Sequence, residues 1–98
     1  MSQGVDFECG QVVATPGALE AIRRNLVSAW EYLERHLSCD WGIVCEEDGQ
    51  ANSEAVQTGA RILSAYHLPD ETALWIITDA EDDQGKRQAT TFLLPEEY

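Results

Sequence analysis

The sequence predicts an α+β fold in which one long amphipathic helix and one short helix pack on a small, mainly antiparallel sheet. Apolar residues recur at helical spacing in the first half of the chain, and three short runs rich in β-branched and aromatic residues fill the second half. Short links between these runs favour an antiparallel meander. The 98 residues suit one domain, so we expect residues 1–98 to fold together, with 1–9 as a loosely ordered N-terminal segment.

The first half of the chain predicts a strand followed by the long helix. Residues Gly10–Thr15 form a short apolar run. Thr15 can cap a helix and Pro16 is tolerated at the first helical position. The apolar residues that follow at spacings of three and four are Leu19, Ile22, Leu26, Ala29, Trp30, Leu33 and Leu37. This spacing predicts one continuous helix of about five turns, in which Trp30 and Tyr32 are packing residues.

The second half predicts a short helix and three strands, giving the element order β-α-α-β-β-β. The helix is expected at about Asp48 to Thr58, with Asp48 as its cap and Gly59 as its C-terminal stop. Its apolar side is thin, so we expect it to be mostly exposed. The strands are expected at Arg61–Tyr66, Ala73–Thr78 and Ala89–Leu94.

The net charge excludes several classes of function. The chain has 18 acidic and 6 basic residues, for a formal net charge of −12. Direct binding to nucleic acid or to an anionic membrane would require clustered Lys and Arg. A hydrophobic share of 44% still predicts a folded chain, and neither a membrane span nor a signal peptide is evident. We therefore expect a soluble cytoplasmic protein.

The negative charge is concentrated in the second half. Residues 1–45 contain 6 acids and 3 bases, a net charge of −3, whereas residues 46–98 contain 12 acids and 3 bases, a net charge of −9. Two clusters account for most of this excess, and we predict them as a partner-binding surface: Glu46, Glu47, Asp48 and Glu54, with Asp79, Glu81, Asp82 and Asp83. The other interpretation is a solvated surface that only keeps the protein soluble.

Metal and redox chemistry are weakly indicated. Three cysteines without a C-x-x-C pair argue against a disulfide scaffold and fit a reducing compartment. One alternative is a zinc site formed by Cys9, His36, Cys39 and Cys45. Its H-x2-C-x5-C spacing is not a recurrent zinc pattern, and the acidic cluster at residues 79–83 lacks the pattern of an EF-hand loop. We expect no metal and no cofactor.

Enzymatic motifs are also missing from the sequence. His36 and His67 belong to no G-x-S-x-G or H-E-x-x-H motif, and we expect each to be a surface or helix-end residue. No residues are therefore predicted to be catalytic. A metal-dependent enzyme that uses Asp40 with Glu46, Glu47 and Asp48 is the least favoured alternative.

Several motifs taken together resemble a known family. They are Asp40-Trp41-Gly42, then RILSAY at residues 61–66, WIIT at 75–78 and LLPEEY at 93–98. From Gly10 to Tyr98 the chain resembles the small bacterial plasmid-related proteins of plasmids, phages and integrated elements. It departs from their pattern at Asp79–Gln88, where this chain has a longer link with four acids. The resemblance implies a mobile-element setting, in which small acidic proteins often inhibit restriction or CRISPR systems.

The charge pattern favours a non-enzymatic protein that binds the basic groove of a nucleic-acid-binding protein, as an anti-restriction or anti-CRISPR inhibitor. Carboxylates on a helix, which rises about 1.5 Å per residue, can approach the charge spacing of DNA. The alternative is an accessory protein-interaction module in which charge serves only solubility. Its binding would depend on aromatic anchors, namely Trp41, Tyr66 and Tyr98, and on the tail Pro95–Tyr98.

Overall fold

The computed structural model describes residues 7–98, in which three α-helices and a four-stranded sheet form the predicted α+β fold. The predicted loosely ordered segment 1–9 lies mostly outside the described residues. The elements in chain order are β1 (Gln11–Ala14), α1 (Pro16–Arg24), α2 (Ala29–Leu37), α3 (Glu46–Thr58), β2 (Ile62–His67), β3 (Ala73–Thr78), β4 (Ala89–Leu93) and a 3-10 turn (Pro95–Glu97).

The sheet has the strand order β1-β4-β3-β2 and is mainly antiparallel, as predicted. Strands β2, β3 and β4 form an antiparallel meander because their links are short, with Ile62 opposite Thr78 and Ile76 opposite Phe92. Strand β1 lies parallel to β4, with Val12 beside Thr90. The sheet therefore ends at β1 on one side and at β2 on the other.

Alternation along the strands separates an inner sheet face from an outer one, as the sequence predicts. The inner face lies in the hydrophobic core with residues of all three helices, and its large apolar residues are Ile62, Tyr66, Leu74, Ile76 and Phe92. The outer face includes Leu63, Trp75 and Thr91, which are only half-buried. Phe7 also belongs to the core, so the chain packs on the sheet before β1 begins.

The prediction of one long helix is wrong, because the chain turns between α1 and α2. Leu26 adopts a left-handed conformation with φ of +57°. Its N–H donates to the Arg23 carbonyl at 3.1 Å, and the Val27 N–H donates to the Ile22 carbonyl at 3.4 Å. This pair of hydrogen bonds is a Schellman motif, which ends α1. Ser28 then caps α2 by accepting from the Trp30 N–H.

The turn explains why two predicted packing residues are exposed. Apolar spacing alone cannot detect a break when the stripe resumes in register on the next helix. Leu26 is 91% exposed and Trp30 is 60% exposed, whereas Tyr32 is buried as predicted. The second helix therefore packs through Leu33 and Leu37 of the predicted stripe together with Tyr32 and His36, and the packed side excludes Trp30.

The helix α3 begins at Glu46, two residues before the predicted start at Asp48. The Asp48 side chain is not its cap, because the Cys45 sulfur accepts from the Asp48 N–H at 3.4 Å. Its end is as predicted, since Gly59 has a φ of +86° and its N–H donates to the Ala55 carbonyl. Most of α3 is exposed, and its buried residues are Asn52 and Ala55.

The outward edge of β2 is covered by side-chain and loop contacts. Asn52 accepts from the Leu63 N–H at 3.1 Å and donates to the Leu63 carbonyl at 2.6 Å. The Ala65 N–H donates to the Trp41 carbonyl, and the Ile43 N–H donates to the Ala65 carbonyl. Two of the outward-facing residues of this edge, Leu63 and Ala65, are thus hydrogen-bonded. Within residues 7–98, every helix is too short or too polar to cross a bilayer.

We expect Leu26→Gly to stabilise the protein. Glycine adopts the left-handed conformation without the steric cost that leucine meets, and the substitution also removes an exposed apolar side chain. The expected gain is about 0.5–1 kcal/mol in the free energy of unfolding, measured by urea denaturation. Leu26→Ala is the control because it removes the side chain and keeps the backbone cost. A glycine variant no more stable than the alanine variant would contradict this explanation.

Candidate functional site: the acidic surface along α3

All eight acids of the two predicted clusters are exposed, and they lie at α3 and at its C-terminal end. Glu46, Glu47 and Asp48 occupy the first turn of α3, where the helix dipole favours negative charge. Glu54 lies two turns further along. The remaining four belong to the β3–β4 link, residues 79–88, which contacts the other end of the helix. We call these eight residues the acidic surface.

The β3–β4 link meets α3 at Gly59. The Glu81 N–H donates to the Gly59 carbonyl at 2.8 Å. A Cβ placed on Gly59 would lie 2.6 Å from the Glu81 Oε1, a distance that side-chain atoms do not adopt. Gly59 therefore permits both the left-handed end of α3 and the close approach of Glu81. The 13 residues of α3 span about 18–20 Å, so this length separates the two acidic clusters along the helix axis.

Arg87 attaches the link to α3 and is itself only 4% exposed. Its guanidinium donates to three carbonyl oxygens, those of Ala55 at 2.9 Å, Ala60 at 2.8 Å and Asp79 at 2.9 Å. The Ala55 carbonyl belongs to the last turn of α3, where a positive charge is favourable. Sequence reasoning missed this residue, because an arginine within a polar link carries no sign of burial.

Asp82 has a structural role within the link. Its Oδ1 accepts from the Gln84 N–H at 2.8 Å and the Lys86 N–H at 3.0 Å, and its Oδ2 accepts from the Gln88 side chain at 2.5 Å. The backbone hydrogen bonds from Lys86 and Gln84 hold the pKa of this carboxyl below its usual value. The other seven acids leave their carboxylates available to a partner.

The ion-paired arginines of the described residues lie outside the acidic surface. The ion pairs found in residues 7–98 join Arg23 to Glu20, Arg24 to Asp70 and Arg35 to Asp40. None of them includes a member of the acidic surface. The Arg87 guanidinium donates to carbonyl oxygens, and the Arg87 backbone N–H donates to Glu8. Arg87 therefore forms no ion pair with any of the eight carboxylates. The acidic surface thus forms no ion pair among residues 7–98, although Lys86 of the link acts on Asp82 at longer range and Arg61 lines the same depression as Asp48.

His36 lies in the last turn of α2, as a predicted helix-end residue would, but it is fully buried rather than on the surface, whereas His67 is exposed as predicted. The His36 ring contacts Ser64 through Nδ1 at 2.5 Å and Thr78 through Nε2 at 2.8 Å. Its ring also packs edge-on against Phe7 and Trp41, with centroid distances of 5.3 Å and 6.0 Å. This histidine thus connects α2 to β2 and β3 within the core.

The hydrogen-bond chain determines the tautomer of His36. Thr90 donates its hydroxyl to the Cys9 carbonyl at 2.8 Å, so it must accept from Thr78 at 2.7 Å. Thr78 therefore accepts from the His36 Nε2–H, and the neutral ring accepts from Ser64 at Nδ1. Burial lowers the pKa of His36 to about 4, which keeps the ring neutral at pH 7.

These contacts leave His36 without a free nitrogen for a metal or a proton transfer. Cys45 lies exposed at the start of α3, while Cys9 and Cys39 are half-buried. Within the described part of the chain, no group of three or more His, Cys, Asp or Glu side chains is placed to hold a metal ion. The zinc alternative and the Asp40 alternative therefore have no assembled ligand set among residues 7–98.

The aromatic alternative is reduced to one of its three anchors. Trp41 is 9% exposed and Tyr66 is 1% exposed, so neither can anchor a partner. The Tyr66 hydroxyl donates to the Asp40 carbonyl at 2.7 Å, and burial raises its pKa to about 12. Tyr98 is 66% exposed, and it packs edge-on against Trp75 and accepts from Arg61.

Two shallow depressions flank α3. The smaller, of about 240 Å³, is lined by Asp48, Ala51, Asn52, Arg61 and Leu63. The larger, of about 490 Å³, lies between α3 and residues 39–45 and is almost flat. Both open to solvent beside the acids of the first turn. Such surfaces suit contact with a macromolecule better than enclosure of a small substrate.

Comparisons of the chain with protein-family models, curated proteins and solved structures found no match.

We expect the protein to lose stability as the pH falls from about 6.5 to 4. The unfolded chain takes up a proton on His36 near pH 6.5, whereas the folded protein resists it until about pH 4. The full contribution is therefore present above pH 6.5, and about 3 kcal/mol is lost by pH 4. NMR titration should show the His36 ring as the Nε2–H tautomer above its midpoint. A midpoint above pH 6 would contradict the buried hydrogen-bond chain.

We expect Arg87→Lys to detach the β3–β4 link from α3. Lysine has one ammonium group and cannot reach the three carbonyls that the planar guanidinium bonds. Stability should fall by about 2 kcal/mol or more in urea denaturation, with faster amide exchange at Glu81. The exposed control is Lys86→Arg, which should leave both quantities unchanged. Equal protection in Arg87→Lys and the parent would show that Arg87 does not hold the link.

Proposed function

We propose that this protein is a non-enzymatic binding protein that occupies the basic, nucleic-acid-binding groove of a partner protein in the cytoplasm. The acidic surface carries the proposal, because its eight carboxylates are exposed and without ion pairs in a chain of net charge −12. A surface of net negative charge attracts a basic partner over a distance and raises the rate of association.

The size of the acidic surface supports a partial imitation of nucleic acid. Along α3 it extends for about 18–20 Å, over which one strand of duplex DNA carries about five or six phosphates at 3.4 Å each. The first-turn acids, Glu54 and the link acids supply charge at the start, middle and end of this length. A surface of this size would block a short segment of a groove rather than a full duplex site.

The biological setting follows from the resemblance to plasmid-related proteins. A protein carried by a plasmid, phage or integrated element benefits from inhibiting restriction or CRISPR enzymes, whose DNA-binding grooves are basic. We therefore propose an anti-restriction or anti-CRISPR role. The inhibitory role is inferred from this setting, whereas the binding of a basic groove is inferred from the charge of the chain and its placement.

The second candidate function is an accessory interaction module centred on Tyr98. The exposed ring of Tyr98, its edge-on contact with Trp75 and its hydrogen bond from Arg61 combine the three residue types that dominate binding hot spots. Tyr98→Ala tests this candidate without disturbing Glu97, whose carboxylate holds the tail to Thr15 and Gly17. Loss of binding in this variant alone would favour the second candidate.

The experiment compares two triple variants with the same charge change. Asp79→Asn, Glu81→Gln and Asp83→Asn neutralise the link and spare Asp82. Glu31→Gln, Glu34→Gln and Glu71→Gln neutralise exposed acids outside the acidic surface. Each immobilised protein is incubated with nuclease-treated bacterial lysate at 50 and 500 mM NaCl, where the Debye length is about 14 Å and about 4 Å. Retained proteins are identified by mass spectrometry.

We expect the parent and the control triple to retain nucleic-acid-binding proteins at low salt, and the link triple to retain at least about tenfold less. Added duplex DNA should release the retained proteins, because it competes for the same groove. Equal retention by both triples, or retention that duplex DNA does not reduce, would overturn the proposed function.

A further inference from the structure

Strand β1 is the terminal strand of the sheet and pairs only with β4 among the described residues. Its Gln11 N–H donates to the Gln88 carbonyl at 3.0 Å. Because bonding alternates along a strand, odd-numbered residues face β4, and the backbone groups of Val12 and Ala14 face away from it. These outward N–H and carbonyl groups make no hydrogen bond to another residue of the described chain.

The opposite edge of the sheet is covered at two of its outward-facing residues. Asn52 bonds both backbone groups of Leu63, and the segment 41–43 bonds those of Ala65. An uncovered edge, by contrast, is a template for an added strand. The four residues of β1 can therefore pair with a short extended segment of another chain, which is a recurring mode of peptide recognition.

The side chains of β1 are uncharged and accessible on both faces of the sheet. Val12 is 45% exposed and lies beside Thr90, whose side chain points to the inner face. Val13 is 39% exposed and lies beside Thr91 on the outer face. Apolar residues of an added strand would pack beside these two valines, one on each face.

Negative charge lies at the Gln11 end of β1. Glu8 is exposed and accepts from the Arg87 N–H at 3.4 Å. Asp82 accepts from the side chain of Gln88, whose carbonyl accepts from the Gln11 N–H. Glu8 and the β3–β4 link together contain five acids and two bases, a net charge of −3. This end of the strand is therefore acidic.

Negative charge also lies at the Thr15 end of β1. The Glu97 carboxylate accepts from the Thr15 hydroxyl and from the Gly17 N–H. The hydrogen bond from Thr15 holds the pKa of Glu97 below its usual value, and its donors are neutral, so the carboxylate keeps its charge. Glu96 is exposed beside it, and residues 95–98 contain no base. An uncharged strand thus lies between two acidic ends.

This charge pattern selects the occupant of the β1 edge. A second copy would bring two acidic ends of its own to the edge, so like charges would meet. An extended segment with lysine or arginine at each end and apolar residues between them would place opposite charges there. At about 3.3 Å per residue, Gln11 to Thr15 span about 13 Å, so the ends of a segment of about seven residues lie near the two groups of acids.

We propose that the β1 edge binds an extended basic segment of a partner protein, which adds a fifth strand to the sheet. The outward groups of Val12 and Ala14 supply the backbone hydrogen bonds, and the acidic ends attract the terminal lysine or arginine side chains. This inference goes beyond the proposed function and does not depend on it, because the hydrogen bonds come from the backbone of β1 rather than from the acidic surface.

The test uses the capped peptide KVTVTVK and NMR spectra of the isotope-labelled full chain. We expect saturable changes in the Val12 and Ala14 amide signals and slower exchange of both amides. The dissociation constant should rise at least about fivefold between about 50 and about 500 mM NaCl, because salt screens the attraction. Absence of binding at about 1 mM peptide would overturn the proposal.

Two control peptides separate strand pairing from charge. EVTVTVE reverses the terminal charges, and KVTPTVK keeps them but lacks a central N–H. Each should bind at least about tenfold more weakly than KVTVTVK. Signal changes confined to α3, with equal binding of the proline peptide, would show that charge alone attracts the peptide and would overturn the proposal.

Variants of the chain locate the contact. Val12→Pro removes an outward N–H and keeps the bonds to β4, so it should weaken KVTVTVK binding at least about tenfold and leave lysate partners of the acidic surface bound. Val12→Thr keeps the N–H and should bind as the parent does. If the proline variant fails to fold, the double variant Glu8→Gln and Glu96→Gln still tests the acidic ends and should bind about threefold more weakly. Its matched control is Glu31→Gln with Glu34→Gln, and equal binding by both doubles would contradict the role of the ends.

The same spectra test for a second copy at this edge. Without peptide, the exchange of the outward amides of β1 should not depend on protein concentration. Protection of these amides that increases with protein concentration would show that another copy of the chain occupies the edge, and it would overturn the proposal.

Discussion

The buried ring of His36 is the contact on which the arrangement of helices and sheet depends. It joins α2 to Ser64 on β2 and Thr78 on β3, and Thr78 extends the chain through Thr90 on β4 to the Cys9 carbonyl. Thr78 and Thr90 each accept one hydrogen bond and donate another, and Ser64 donates to the ring, so the network has a single direction. A polar network in a core is favourable only when every member is bonded, and no buried side-chain nitrogen or oxygen among residues 7–98 lacks a partner.

The distribution of charge follows from this core and from Arg87. Four arginines are engaged in ion pairs or buried contacts, three on the α1–α2 side and one beneath the β3–β4 link. The acids along α3 consequently face solvent without an ion pair among residues 7–98.

Local patterns predicted most of the secondary structure. Alternation in Ile62–His67 and Ala73–Thr78 distinguished the two sheet faces, and Gly59 marked the end of α3. The break after α1 was missed because its left-handed residue is Leu26 rather than glycine, and because the apolar spacing continues across it. The residues of the acidic surface could be predicted from the charge density of the sequence. The burial of Arg87 could not, because it results from contacts with Ala55 and Ala60, which are far from Arg87 in the sequence.

The sequence by itself determined the α+β class, the meander and the concentration of acids in the second half, because periodicity and charge are local properties. Only the tertiary structure decided that α3 separates the two acidic clusters, that Asp82 closes its own link and that His36 is buried. These features depend on which distant residues meet. The opposite states of the two sheet edges arise in the same way, since Asn52 reaches β2 and no described residue reaches the outward groups of β1.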